Sequence, residues 1–141
     1  MAVQLTPYLT MNGNAKEAIQ FYQQALEAEV LFIQNFEEMP ENPEFPLPAE
    51  MKDRVSHATL KIGESVLMFS DSFPGQASQN GNLLSICITT DSPEQAGQYF
   101  EALKQGGKVE MPLQETFFSP NYGIVADKFG VVFQVFTQGP H

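Results

Sequence analysis

YLTMNGNAKEAIQFYQQALEAEV, residues Tyr8–Val30, has a counterpart further along the chain in ICITTDSPEQAGQYFEALKQGGKV, residues Ile86–Val109. Each stretch reads as a short strand, a polar turn, a helix carrying alanine and an aromatic pair, and a closing valine. Ala18 matches Ala96 and Phe21-Tyr22 match Tyr99-Phe100, both at an offset of 78, while Val30 matches Val109 at 79. The strands ahead of the helices also align at 79, so each connection holds a one-residue slip. An offset of just over half the chain is what an internal duplication produces.

Helix signals support this alignment. In the first copy Asn14 is placed to cap the helix, with Glu17 reaching back three residues later. In the second, Ser92 is the cap, Pro93 takes the first helical position and Gln95 completes the box. Ala18, Phe21, Tyr22 and Ala25 fall on one helical stripe, as do Ala96, Tyr99, Phe100 and Leu103, and both stripes read as core packing. Gly106-Gly107 stops the second helix.

Three strand-like runs follow each helix. The first copy has Val30–Phe36, Val55–Ile62 and Ser65–Ser70, the last two joined by a Gly63-Glu64 turn. The second has Lys108–Leu113, Gly123–Asp127 and Val131–Phe136, the last two joined through Lys128–Gly130. Each half therefore reads β-α-β-β-β, giving a single domain over 1–141 with repeats at 1–72 and 82–138. Residues 37–53, EEMPENPEFPLPAEMKD, carry four prolines and six acids against one lysine. That composition excludes a central strand and predicts an extended lid or contact arm.

Composition narrows the function classes. The 141 residues are 43% hydrophobic and 17% charged, which suits one globular domain. With 7 Lys+Arg against 17 Asp+Glu, the formal charge of −10 repels phosphate backbones and argues against nucleic-acid binding. It favours cations over anions by steering, or simply serves solubility. No apolar run approaches a membrane span and no signal peptide is evident. The one cysteine, Cys87, excludes an internal disulfide and a cysteine-cluster metal site. These features predict a cytoplasmic protein without membrane contact.

Alternation along the strands sorts their two faces. Leu9, Ala58, Leu60, Ile62, Leu67, Phe69, Leu84, Ile86, Ile88, Val131, Phe133 and Val135 are expected toward the helices. The opposite face then holds Thr6, Tyr8, Thr10, His57, Thr59, Met68, Ser70, Ser85, Cys87, Thr89, Val132, Gln134 and Phe136. Hydroxyls, an imidazole, an amide and soft apolar groups, with no lysine or glutamate, suggest a lined pocket rather than a solvated face.

PYLTMNGNAKEAIQFY, SHATLKIGESVLMFSDS and GGKVEMPLQETFFSPNYGIVADKFGVVFQV together resemble the PhnB-like branch of the vicinal-oxygen-chelate superfamily. That is the glyoxalase, bleomycin-resistance and dioxygenase fold. The resemblance implies an α+β protein whose duplicated modules form curved mixed half-sheets around a cup, with helices outside, and a homodimer. The branch sometimes bears a 3-demethylubiquinone-9 3-methyltransferase label, yet no Gly-rich nucleotide loop follows a strand here.

In metal-dependent members of the superfamily four cup positions supply His or Glu ligands. By strand register they fall on Thr6, Met68, Ser85 and Gln134. Hydroxyls, a thioether and a neutral amide are poor ligands for such ions, so neither a metal nor another cofactor is expected. The cup is then expected to bind a small molecule, with Thr6, Tyr8, Thr59, Met68, Ser85, Cys87, Gln134, Phe118 and Tyr122 as lining. Gln134 would orient a neutral or cationic ligand through its amide, or only bond a neighbour. His57, the one histidine besides terminal His141, is a candidate general base, and Asp71 beside the cup mouth a candidate acid. Cys87 is a weaker candidate nucleophile, and nothing near it in sequence activates it. Phe117 joins Tyr8, Phe118 and Tyr122 as a possible stacking or core residue. A metal-independent enzyme built on His57 and a divalent-metal lyase, isomerase or dioxygenase are the alternatives.

Overall fold

The computed structural model describes residues 3–38, 49–72, 81 and 83–138. Two compact units divide the chain, Met1–Gln79 and Asn80–His141. The first contains β1 (Tyr8–Met11), α1 (Ala15–Ala25), β2 (Glu29–Asn35), β3 (Val55–Ile62) and β4 (Ser65–Asp71). The second contains β5 (Ile86–Thr90), α2 (Pro93–Leu103), β6 (Lys108–Gln114), β7 (Tyr122–Ala126) and β8 (Val132–Thr137). Each unit forms a four-stranded mixed sheet, ordered β1-β4-β3-β2 in one and β5-β8-β7-β6 in the other. In both, the first strand runs parallel to the last and the other pairs are antiparallel. The fold is α+β with the element order expected from the repeat.

Helix stripes and strand alternation meet in the core. Ala18, Tyr22 and Ala25 of α1 are buried, and the Tyr22 ring stands edge-on to Phe69 at 6.3 Å. Phe69 pairs with Leu9 and Ala58 on neighbouring strands, so α1 covers that face. In the second unit Ala96, Phe100 and Leu103 of α2 are buried with Val125, Phe133 and Val135. Gly123 shows how closely the layers meet, because a Cβ there would lie 2.9 Å from the Phe100 ring. Each large side chain so enclosed contributes about 1.5–3 kcal/mol.

Strand ends shift by a residue where local bonds decide them. Val131 is not the first residue of β8, because its N–H donates to Asp127 Oδ1 at 3.0 Å inside the turn. Asp127 also accepts from Phe129 N, as an aspartate that forms a turn does. Phe36 does not end β2 but opens a short 3-10 turn, Phe36–Glu38, and a second covers Ala49–Met51. Arg54 O and Lys52 O accept from Phe36 N and Glu37 N, so the ends of the proline-rich segment are pinned to one another. Its residues 39–48 lie outside the described set, as do position 82, where the second repeat was expected to begin, and His141. Leu84 is a correction: it precedes β5 and is 85% exposed rather than turned to a helix.

The two helix caps differ from expectation and from each other. Ser92 Oγ accepts from Gln95 N at 3.3 Å as expected, but the Gln95 side chain reaches Tyr99 Oη and leaves the box incomplete. Asn14 makes no side-chain cap at all. Its Oδ1 accepts from Asn12 N, and the start of α1 is served by Asp71 at the far end of β4. Asp71 Oδ1 accepts from Gly13 N at 2.8 Å and Ala15 N at 3.0 Å, and its Oδ2 from Val55 N at 2.9 Å. Gly13, at φ +94°, supplies the left-handed backbone that aims its N–H inward.

Replacing a carboxylate that accepts from three backbone amides, two of them in buried bonds, leaves donors without a full-strength partner. Asp71→Asn is expected to lower unfolding free energy by at least about 2 kcal/mol in urea titration, and Asn14→Ala by less than about 0.5 kcal/mol. Equal effects from the two would show that the cap is local after all.

Candidate functional site

The face of each sheet turned away from its helix gathers the side chains that alternation placed there. In the first unit Tyr8, Met68, Thr59 and Phe32 stand in one row across β1, β4, β3 and β2. His57 lies beside them, its Nδ1 3.5 Å from Tyr8 Oη and its Nε2 3.3 Å from Thr59 Oγ1. The Tyr8 and Phe32 rings flank the imidazole at centroid distances of 5.8 and 6.0 Å. Either nitrogen can carry the proton, since a hydroxyl both donates and accepts. Thr6 precedes β1 and is half-buried.

In the second unit Gln134 pairs with Cys87 on one side and Ile124 on the other. Its amide is held at both ends. Tyr122 Oη donates to Oε1 at 2.7 Å, and Nε2 donates to Ser85 Oγ at 2.8 Å. Tyr122 also begins an aromatic group. Phe118 meets it edge-on at 5.0 Å and lies nearly parallel to Phe136 at 6.2 Å. Phe117 meets Phe118 edge-on, and these two phenylalanines are 90% and 44% exposed. Cys87 is exposed, with Thr89 Oγ1 3.9 Å from its sulfur.

Ser85, Gln134, Tyr122 and Phe118 are thus brought together with Cys87 alongside, and Tyr8, His57, Thr59 and Met68 form a second group. Asp71 does not belong to either. It is 1% exposed, and every bond recorded for it goes to a backbone amide, so it stands as a structural carboxylate and not at an open mouth. Cys87 and His57, considered as nucleophile and base, belong to different units. Phe32 was missed because VLFIQN is apolar without alternation, which hides its face. Phe136 was placed on the open face by its parity with Gln134 but was not seen as a stacking partner.

The donors at the four expected metal positions do not suit a divalent ion. Thr6 and Ser85 offer neutral hydroxyls, Met68 a thioether, and the carbonyl of Gln134 already accepts from Tyr122. Among the described residues no three His, Cys, Asp or Glu side chains gather closely enough to hold a metal. Nor does any helix there have the length and apolarity to cross a membrane.

The topology is that of the vicinal-oxygen-chelate superfamily. The fosfomycin resistance protein FosX of Listeria monocytogenes superposes with a TM-score of 0.69 over 99% of this chain and 95% of its own. At 11% identity that likeness concerns the fold alone. A family model described as 3-demethylubiquinone-9 3-methyltransferase matches residues 3–136. Protein YjdN of Escherichia coli (strain K12) is 36% identical over 138 residues, covering 93% of this chain and 92% of its own. The crystal structure of PA1353 from Pseudomonas aeruginosa is also 36% identical, with a TM-score of 0.86 over 97% of this chain and 98% of its own. A PhnB protein of Bacillus cereus, described as a putative 3-demethylubiquinone-9 3-methyltransferase, is 27% identical with a TM-score of 0.77, over 96% and 99% of the two chains. The chain belongs to this PhnB-like family.

Native iodoacetamide treatment is expected to give one adduct per chain, at Cys87, by intact mass. An unmodified folded protein would mean that the sulfur is covered in solution.

Proposed function

We propose that the chain is a small-molecule-binding protein that holds its ligand on the open face of the second sheet, against Gln134 and the aromatic group of Phe118, Tyr122 and Phe136. The observation that carries this reading is the amide of Gln134, fixed at both ends beside partly open rings. A polar group whose orientation is set before a ligand arrives loses little freedom on binding. Apolar surface with a few fixed polar groups is the usual make-up of a small-molecule site. A point mutant of FosX has been crystallised with 1S,2S-dihydroxypropylphosphonic acid and Mn(II), so this fold is able to receive a small organic molecule. Among the described residues no group of His, Cys, Asp or Glu matches the Mn(II) of that complex. The family's methyltransferase description draws no support from these residues.

A second reading rests on His57. An imidazole between two hydroxyls and two rings is placed to accept a proton from a substrate on the first sheet. It would make the protein an enzyme needing no metal, with Tyr8 and Thr59 orienting the ring.

A ligand-observed NMR screen of a few hundred metabolite-like compounds tests the first reading. Hits are expected whose binding weakens about tenfold or more in Gln134→Ala, the loss of two hydrogen-bonding groups. Hits indifferent to Gln134 but lost in His57→Ala would move the site to the first sheet.

A further inference from the structure

We infer that the ligand is a flat, uncharged ring system bearing a hydrogen-bond-accepting oxygen, laid on the Phe118 and Phe136 rings with that oxygen toward the Ser85 hydroxyl. This rests on the binding face proposed above and names the class of molecule it takes.

Charge is the first ground. The strands β5, β7 and β8 contain no Asp, Glu, Lys, Arg or His. The charged residues of this sheet, Lys108 and Glu110, belong to the edge strand β6, where Lys108 pairs with Ala126 at the end away from Tyr122. In a chain of net charge −10 three neighbouring strands without a charge stand out. An ionic ligand set here would lose its water and gain no counter-charge from these strands.

Direction is the second. The Tyr122 hydroxyl donates to the Gln134 carbonyl, and the Gln134 amide donates to Ser85 Oγ. Both bonds run the same way, and each polarises the next. Ser85 accepts with one of its two lone pairs in this chain, and among the described residues its proton has no acceptor. The relay therefore ends in a donor, and a donor calls for an oxygen acceptor on the ligand. A cation without an acceptor atom would find the aromatic faces attractive, but it would offer nothing to this hydroxyl proton.

Shape is the third. Phe118 and Phe136 are inclined by only 15°, and Phe118 keeps 44% of its surface open. Nearly parallel rings, one of them part-exposed, favour offset stacking by another flat ring over a puckered one. Tyr122 joins the two features, since its ring abuts Phe118 and its hydroxyl starts the relay.

The test titrates the 15N-labelled full chain with four probes: coumarin, δ-valerolactone, 2-naphthoate and N-methylquinolinium. The first is flat, neutral and carries a carbonyl; the others lack the flat ring, the neutrality, or both neutrality and acceptor. Coumarin is expected to shift the Gln134 side-chain amide and the Ser85 and Phe118 backbone amides, and to bind at least about tenfold more tightly than the rest. Ser85→Ala is expected to weaken coumarin about tenfold, the value of one hydrogen bond, and Ser85→Thr to retain it. Tighter binding of either ion or of the saturated lactone at this face would overturn the ligand class and leave the binding face standing. Unchanged coumarin affinity in Ser85→Ala would overturn the placement of the oxygen. If neither these probes nor the screened compounds perturb the face, both proposals fall together.

Discussion

One buried carboxylate ties three segments of the first unit together. Asp71 closes β4, and its two oxygens take the N–H groups of Gly13 and Ala15 at the start of α1 and of Val55 at the start of β3. These amides come from chain positions 58, 56 and 16 residues away. The N–H groups of Ala15 and Val55, both in buried bonds, would otherwise be donors without a partner at the end of an element, which is costly in a dry interior. Among the described residues no buried side-chain nitrogen or oxygen is left unbonded, and Asp71 shows how that is achieved where α1, β3 and β4 meet. The seating of α1 on Phe69, and with it the side from which the row of Tyr8, Met68 and Thr59 faces away, follows from this tie.

The second unit solves the same problem differently. There the residue paired at the end of the parallel ladder is Thr137, bonded to Thr90 Oγ1, and the helix is capped locally by Ser92. The two units therefore share strand order and helix placement while differing in the chemistry that secures them. The open faces diverge in the same manner. One carries an imidazole among hydroxyls, the other an amide relay beside stacked rings, and a scaffold that keeps its core can vary its open face freely.

Much of the fold could be read from residues because its signals are local. The repeat of Ala18 and Tyr22 in Ala96 and Phe100, the alternation of Val125, Phe133 and Val135, and the Gly63 turn each depend on neighbours within a few positions. The pairing of Ser85 with Gln134 was legible only as two residues on one face; that they bond, and that Tyr122 completes the relay, depends on strand register. Asp71 was misread for a related reason. An acid after a strand looks the same in sequence whether it faces solvent or three amides, and its partners lie far off along the chain. Phe32 was hidden by an edge strand whose apolar residues face both ways. The ends of the strands moved where side chains such as Asp127 took over a backbone bond.

The unequal helix caps carry a consequence for the order of events in folding. Helix α2 can satisfy its first turn from Ser92 as soon as those few residues meet, so its nucleus is closed within its own loop. Helix α1 must wait until β4 arrives with Asp71, after a loop of more than fifty residues has been closed. Contacts of such long range slow a transition state that requires them. The second unit is thus built to order its helix early and the first to order its helix late. A chain emerging N-terminus first would carry an unsecured α1 until the whole of its sheet has been synthesised.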